Sequence, residues 1–247
     1  MIYLKSAVET ALMREAGKIV KDALFFIETK VKAGVTTIEL AKAAEKFIKS
    51  AGAEPSFLGY NGYPAAICTS IDSEVVHGIP GGRVIKEGEI VSVDIGAYYK
   101  GFHGDAARTF AVGKISTEKE KLMKVTEECF FKGLEAFKAG NRIGDIGAAV
   151  QAHAERNGFS VVRALVGHGI GRSMHEDPAV PNFGKAARGA KIEIGMALAI
   201  EPMINAGTFE VLIEDDEWTV VTADGRPSAH YENTVILTEN GPEILTL

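Results

Sequence analysis

The sequence predicts a mixed α/β chain of the α+β type, one domain made of two similar halves at about 1–112 and 113–247. Three observations carry this. A pair of helices followed by a strand-rich stretch occurs twice. Gly34 and Gly52, near the ends of the first helix pair, have the same spacing as Gly140 and Gly158. Each strand-rich stretch holds a His-Gly-Ile, in "VVHGIP" and "VGHGIG". A glycine six residues before an acid follows each, in "GEIVSVD" and "GMALAIE". Repetition of this kind implies halves related by a pseudo-twofold axis. No Pro/Gly/Ser tract or low-complexity segment separates them.

The elements follow in order. Ser6-x-x-Glu9 reads as a capping box, and Leu12, Ala16, Ile19, Val20, Ala23 and Ile27 follow at helical spacing. This helix should stop near Gly34. Thr36-x-x-Glu39 opens a second, shorter helix that ends before Gly52. Residues 57–112 are short apolar or alternating runs broken by Gly, Pro and Asp, the pattern of strands. Thr117-x-x-Glu120 then opens a long helix reaching Gly140, a shorter helix runs to Gly158, and residues 160–247 are again strand-rich.

Composition excludes several classes. The chain is 46% hydrophobic and 24% charged, enough to build a sizeable core. Its net charge is −6, and no basic run points to nucleic acid. Lys5, Glu9, Arg14 and Glu15 interrupt the N-terminal segment, so it lacks the apolar centre of a signal peptide. No stretch approaches the ~20 apolar residues of a membrane span. Cys68 and Cys129 make no disulfide framework. A cytoplasmic chain with reduced thiols is expected.

The acids give the first hint of chemistry. In "SVDIGAYYKGFHGDAARTF", Asp94 and Asp105 flank a turn-like Tyr-Lys-Gly. A hairpin with its tip at Tyr99–Lys100 would set them roughly opposite each other. Facing Cβ atoms lie ~5 Å apart, and two charges there repel by on the order of 3 kcal/mol at an effective dielectric near 20. Strand alternation sets Val91, Val93 and Ile95 on one face, with Ser92 and Asp94 on the other. It sets Leu198 and Ile200 opposite Ala199 and Glu201, and gathers His230, Glu232 and Thr234 on a common face. Buried carboxylates are rare unless paired or bound to metal. Arg108 offers Asp105 a salt bridge, but Asp94, Asp105, Glu201 and Glu232 together lack cationic partners. Two divalent cations would balance the four carboxylates. Oxygen-rich ligation with one imidazole suits Mn, Fe, Co or Zn in a catalytic site.

Of six histidines, His153 lies on a predicted helix among charges and is expected at the surface. His103 sits at the hairpin, either exposed or behind the ligands. His230 shares a face with Glu232, where it is expected to do no more than hydrogen-bond nearby. His77, His168 and His175 lie in Gly-rich or Pro-flanked segments, "VVHGIP" and "GHGIGRSMHEDP", beside the carboxylate-bearing strands. They are the candidates for chemistry, although their spacing is not the helical His-Glu-x-x-His zinc motif.

At these residues the sequence resembles the type I methionine aminopeptidases. The likeness runs almost end to end, through "GYNGYP", "VVHGIP", "VSVDIGAYYKGFHGD", "GHGIGRSMHEDP", "AIEPM" and "HYENT". It implies the pita-bread fold, a pseudo-symmetric arrangement in which two pairs of helices cover a curved antiparallel sheet. It implies that Asp94, Asp105, His168, Glu201 and Glu232 ligate two divalent ions (Co, Mn, Fe(II) or Zn). It makes His77, His175 and Glu201 the catalytic residues and makes Tyr60, Tyr63, Cys68, His77, His175 and Trp218 the substrate-binding ones. Asn61 stands where some relatives have histidine, and Met174 where some have an aromatic residue. Both bear on fine specificity rather than on the reaction. The implied activity is removal of the initiator methionine from nascent polypeptides with a small second residue. The implied enzyme is a cytoplasmic monomer with a transient ribosome contact, bound directly to neither nucleic acid nor membrane. Two alternatives share the pattern: an Xaa-Pro peptidase like prolidase or aminopeptidase P, and a non-catalytic binding protein on the same fold.

Overall fold

The computed structural model covers residues 1–247. The first half contributes α1 (Ala7–Glu28), α2 (Thr37–Ser50), β1 (Glu54–Pro55), β2 (Ile67–Ile71), β3 (Glu74–Val76), β4 (Ile90–Tyr99) and β5 (Phe102–Ala111). The second contributes α3 (Thr117–Ala136), α4 (Ile143–Arg156), β6 (Ser160–Val161), β7 (Gly167–Gly169), β8 (Glu176–Val180), β9 (Ala197–Ile200) and β10 (Met203–Asn205). It continues with β11 (Val211–Ile213), β12 (Val220–Thr222), β13 (Ser228–His230), β14 (Asn233–Thr238) and β15 (Gly241–Ile244). Every strand pairing is antiparallel, and the strands form four ladders rather than one continuous sheet. α1 and α2 bury Val20, Ile27, Leu40 and Ile48 against Val91, Val93 and Ile95 of β4. α3 and α4 bury Phe130 and Ile146 against Leu198 and Ile200 of β9. The apolar face read from alternation is therefore the helix-covered face in both halves.

The repeat appears in the backbone itself. Gly34, Gly52, Gly140 and Gly158 all have left-handed φ, at 91°, 77°, 91° and 85°. Gly52 and Gly158 close their helices by donating to Lys49 O and Glu155 O, both at 3.0 Å. Gly34 and Gly140 act differently from expectation. α1 ends at Glu28 and α3 at Ala136, several residues earlier. The two glycines instead turn the connecting segments onto the sheet, donating to Ile85 O at 2.9 Å and Ile192 O at 3.1 Å. The capping box at Ser6 and Glu9 is present. α3, however, is capped by Ser116, whose hydroxyl accepts from Lys119 N, and not by Thr117.

The hairpin register also differs from the expected one. Lys100 (φ 49°) and Gly101 (φ 89°) are both left-handed, the requirement of a two-residue turn matched to strand twist. The tip therefore lies at Lys100–Gly101. Asp94 pairs with Ala107 and Asp105 with Gly96. The two aspartates share a face as diagonal neighbours instead of standing directly opposite.

The halves are joined along β5. Thr234 Oγ1 accepts from Asp105 N and donates to Asp105 O, both at 2.9 Å. Thr109 Oγ1 donates to His230 O at 2.8 Å and accepts from His230 N at 3.0 Å. Glu232 N donates to Ala107 O at 3.0 Å. β13 and β14 are separated at Tyr231–Glu232, so the run from His230 to Thr234 is a broken strand and not the continuous one the alternation implied. Thr234 is fully buried. Replacing it with valine leaves the N–H and C=O of Asp105 unpaired, at about 1–3 kcal/mol for each buried group. Urea unfolding of Thr234→Val is expected to show a loss of about 2–4 kcal/mol; a change below ~0.5 kcal/mol would mean that this seam does not hold the halves.

Candidate metal centre

The seam delivers carboxylates from both halves to one cavity of about 270 Å³. β4 supplies Asp94 and β5 supplies Asp105. Glu201 follows β9, where Pro202 ends the strand, and Glu232 occupies the break between β13 and β14. His168 comes from β7. The glycines of the His-Gly pairs have one steric reason in both halves. A Cβ on Gly78 would lie 2.2 Å from Thr69 O, and one on Gly169 would lie 2.2 Å from Asp177 O. The backbones of the two histidines nonetheless differ. His168 is in a strand, whereas His77 lies beyond β3 at φ 61°. A left-handed backbone at a non-glycine residue is strained and is found disproportionately at functional sites.

The imidazoles approach the acids without hydrogen-bonding them. His168 Nε2 is 3.6 Å from Glu201 Oε1 and 3.9 Å from Asp105 Oδ2. Its Nδ1 lies 2.8 Å from Gly169 O, and donation there leaves the Nε2 lone pair facing the acids. Asp94 Oδ1, Asp105 Oδ1, Glu232 Oε1 and His230 Nε2 are buried with no hydrogen-bond partner. Unpartnered buried charge of this kind is costly. Burial drives the carboxyls upward, Asp94 to about 7 and Glu201 to about 8. Asp105 and Glu232 rise well above the carboxylate range, first through burial and then through their acidic neighbours. Burial likewise drives His168 down to about 3. Neutral imidazole and closely packed oxygens are the donor set that a divalent cation stabilises.

Arg108 does not pair with Asp105. It donates to Ala107 O at 2.8 Å, Glu232 O at 2.5 Å and Asn233 Oδ1 at 2.7 Å, and lies over the Tyr231 ring. It thus braces the backbone that carries Glu232 and forms no salt bridge with the carboxylates, although its charge partly offsets the rise at Glu232.

The rest of the cavity is aromatic and sulfur-bearing. Tyr60, Tyr63, Cys68, His77, His175 and Trp218 all line it, as do Asn61 and Met174. Tyr63 meets Trp218 edge to face at 5.1 Å and donates to Gly78 O at 2.9 Å. Burial, reinforced by Asp94, pushes the Cys68 thiol well up, so it is a neutral lining group. His175 lies at the exposed mouth, its Nδ1 2.8 Å from the Tyr60 hydroxyl. Phe57 also lines the cavity and was not singled out from sequence; its position just before "GYNGYP" was the available signal. His103 lies away from the acids, half-buried, with Nδ1 2.9 Å from Ser56 Oγ. His153 is also half-buried, 2.8 Å from Glu128 on the neighbouring helix, where a surface position was expected.

Residues 11–239 match metallopeptidase family M24. The chain is 57% identical to the methionine aminopeptidase of Clostridium perfringens, over 100% of this chain and 99% of that protein. It superposes on the crystal structure of methionine aminopeptidase from Rickettsia prowazekii with a TM-score of 0.99, at 41% identity and full coverage of both chains. Similarity to the Xaa-Pro dipeptidase of Bacillus anthracis is lower, with a TM-score of 0.80 at 27% identity. There the match takes in 98% of this chain but 61% of that one.

The raised carboxyls give the site a measurable signature. Protons on the raised carboxyls compete with a cation, so divalent-ion affinity should rise with pH through the neutral range. Calorimetry of Mn(II) binding at pH 6.5, in buffers of different ionisation enthalpy, should show net proton release. Binding with no proton release would contradict this picture of the site.

Proposed function

The chain belongs to metallopeptidase family M24, and we propose that it removes N-terminal methionine from peptides and nascent proteins, using two divalent cations. One observation carries this reading: four carboxylates and His168 converge on a cavity whose remaining wall is aromatic and sulfur-bearing. All of 1–247 acts as one catalytic domain in this reading, since donors come from both halves.

Asp94, Asp105, His168, Glu201 and Glu232 would hold the ions, with Co, Mn, Fe(II) and Zn all compatible with such donors. When bound, divalent cations polarise the scissile carbonyl and lower the pKa of water. Glu201 takes a proton from the attacking water and passes it to the leaving nitrogen. His175, oriented by Tyr60, stabilises charge developing on the carbonyl oxygen. Burial lowers His77 to about 4, and its ring hydrogen-bonds the scissile nitrogen or helps protonate it. Tyr60, Tyr63, Cys68 and Trp218 receive the methionine side chain through polarizable contacts, and Asn61 and Met174 tune the fit. The work requires no membrane, and no helix here is long and apolar enough to cross one. Substrates of this class place the enzyme in the cytoplasm, as a monomer that meets the ribosome transiently.

The residue after the scissile bond would lie against His77 and His175, and in this reading only a small side chain fits there. Overpacking by a few methylenes costs about 1–3 kcal/mol, or roughly 10–100-fold in rate. With Mn(II) or Co(II) added, Met-Ala-Ser should therefore be cleaved at least ~10-fold faster than Met-Leu-Ser, and Gly-Pro hardly at all. Preferential cleavage of Gly-Pro would replace this reading with that of an Xaa-Pro peptidase.

His77→Ala should lower kcat by roughly 10²-fold, the range of a positioned proton-handling group, with the bound metal unchanged by elemental analysis. A lost ion would make His77 a ligand instead.

A further inference from the structure

We infer that His230 is a sixth protein donor of the metal centre, binding through Nε2 the cation held by Asp94 and Glu232. The inference rests on the metal-dependent reading above and extends its ligand set. His230 is 1% exposed, and its Nε2 has no hydrogen-bond partner. That nitrogen stands 3.7 Å from Glu201 Oε2 and 3.9 Å from Glu232 Oε2. Both separations exceed a hydrogen bond. They fall within the span of two donors that each sit about 2.0–2.2 Å from a shared cation, which is at most ~4.4 Å.

His168 stands in the same relation to the acids, at 3.6 Å from Glu201 Oε1 and 3.9 Å from Asp105 Oδ2. Glu201 thus presents one oxygen to each imidazole. Two three-donor sets result, Asp94–His230–Glu232 and Asp105–His168–Glu232, each with its donor atoms within 4.8 Å of one another. Glu232 is common to both. The position of His230 is fixed from behind, because its N–H and C=O both bond Thr109 Oγ1.

The test uses the full chain, stripped of metal and titrated anaerobically with Co(II). Wild type should bind two ions and show two strongly shifted, exchangeable imidazole N–H signals by proton NMR. His230→Gln should keep one affinity, weaken the other at least ~10-fold and lose one signal. Two unchanged affinities and two retained signals in His230→Gln would overturn the inference. So would a single shifted N–H in wild type, a measurement that requires no variant to fold. Asp105→Asn runs in parallel. If it loses an ion while His230→Gln does not, His230 alone is wrongly assigned. If Asp105→Asn also keeps both ions, the metal-dependent reading itself falls.

Discussion

Four carboxylates converge on one cavity, Asp105 and Glu232 buried and Asp94 and Glu201 half-buried, and the rest of the structure is arranged around them. Raising Asp94 from 3.8 to about 7 corresponds to roughly 4 kcal/mol of disfavoured charge, for one group of four. Arg108 offsets part of this at Glu232, by less than burial and the acidic neighbours raise it. Arg108, the cation nearest in sequence, is spent on backbone carbonyls. A divalent cation is the remaining compensation, and it stabilises only if the acids are already in place. The fold supplies that placement. Along the seam, the Thr109 hydroxyl grips the backbone of His230 and the Thr234 hydroxyl grips the backbone of Asp105, which fixes the segments that carry the acids.

The two halves divide the task. The first brings Asp94 and Asp105 on a single hairpin, and the second brings His168, Glu201 and Glu232 from three separate segments. A two-residue turn at Lys100–Gly101 offsets the aspartates diagonally, which leaves both carboxyls pointing at the same space without stacking them. Glu201 and Glu232 each sit where a strand is interrupted, at Pro202 and at the break after His230. Such interruptions free a carboxylate from the strict up-and-down alternation of a strand and let it turn toward the acids opposite.

Much of this was legible in the sequence, and the limits are physical. The repeat, the helix order and the apolar face of β4 and β9 follow from glycine spacing and period-two alternation, both local signals. The same alternation set Asp94, Glu201 and Glu232 apart from the apolar positions of their strands, and the hairpin added Asp105. Alternation failed at Tyr231–Glu232, because nothing local distinguishes a broken strand from a continuous one. The hairpin tip was misplaced by one residue because Tyr-Lys-Gly offers two turn frames, and only the left-handed backbone at Lys100 selects between them. The two-sided bond between Thr234 and Asp105, and the bracing role of Arg108, join residues more than a hundred positions apart. No spacing rule connects them. His230 shows the same limit, since sequence put it on the right face but could not say which atoms its ring would meet.

The division between strand and loop then bears on how the site works. The acids stand on or between paired strands, where backbone bonds on both sides restrict movement. Tyr60, Asn61, Met174, His175 and Trp218 stand on connections, held by side-chain contacts such as Tyr60 with His175 and Tyr63 with Trp218. Catalysis by electrostatic preorganisation requires the first kind of support, because a donor that relaxes toward its target loses the advantage of being fixed. Recognition of one side chain tolerates the second. A cavity of about 270 Å³ with a rigid acidic floor and loop-borne walls can therefore change its preference through residues such as Asn61 and Met174 while the floor, and the reaction it supports, stays as it is.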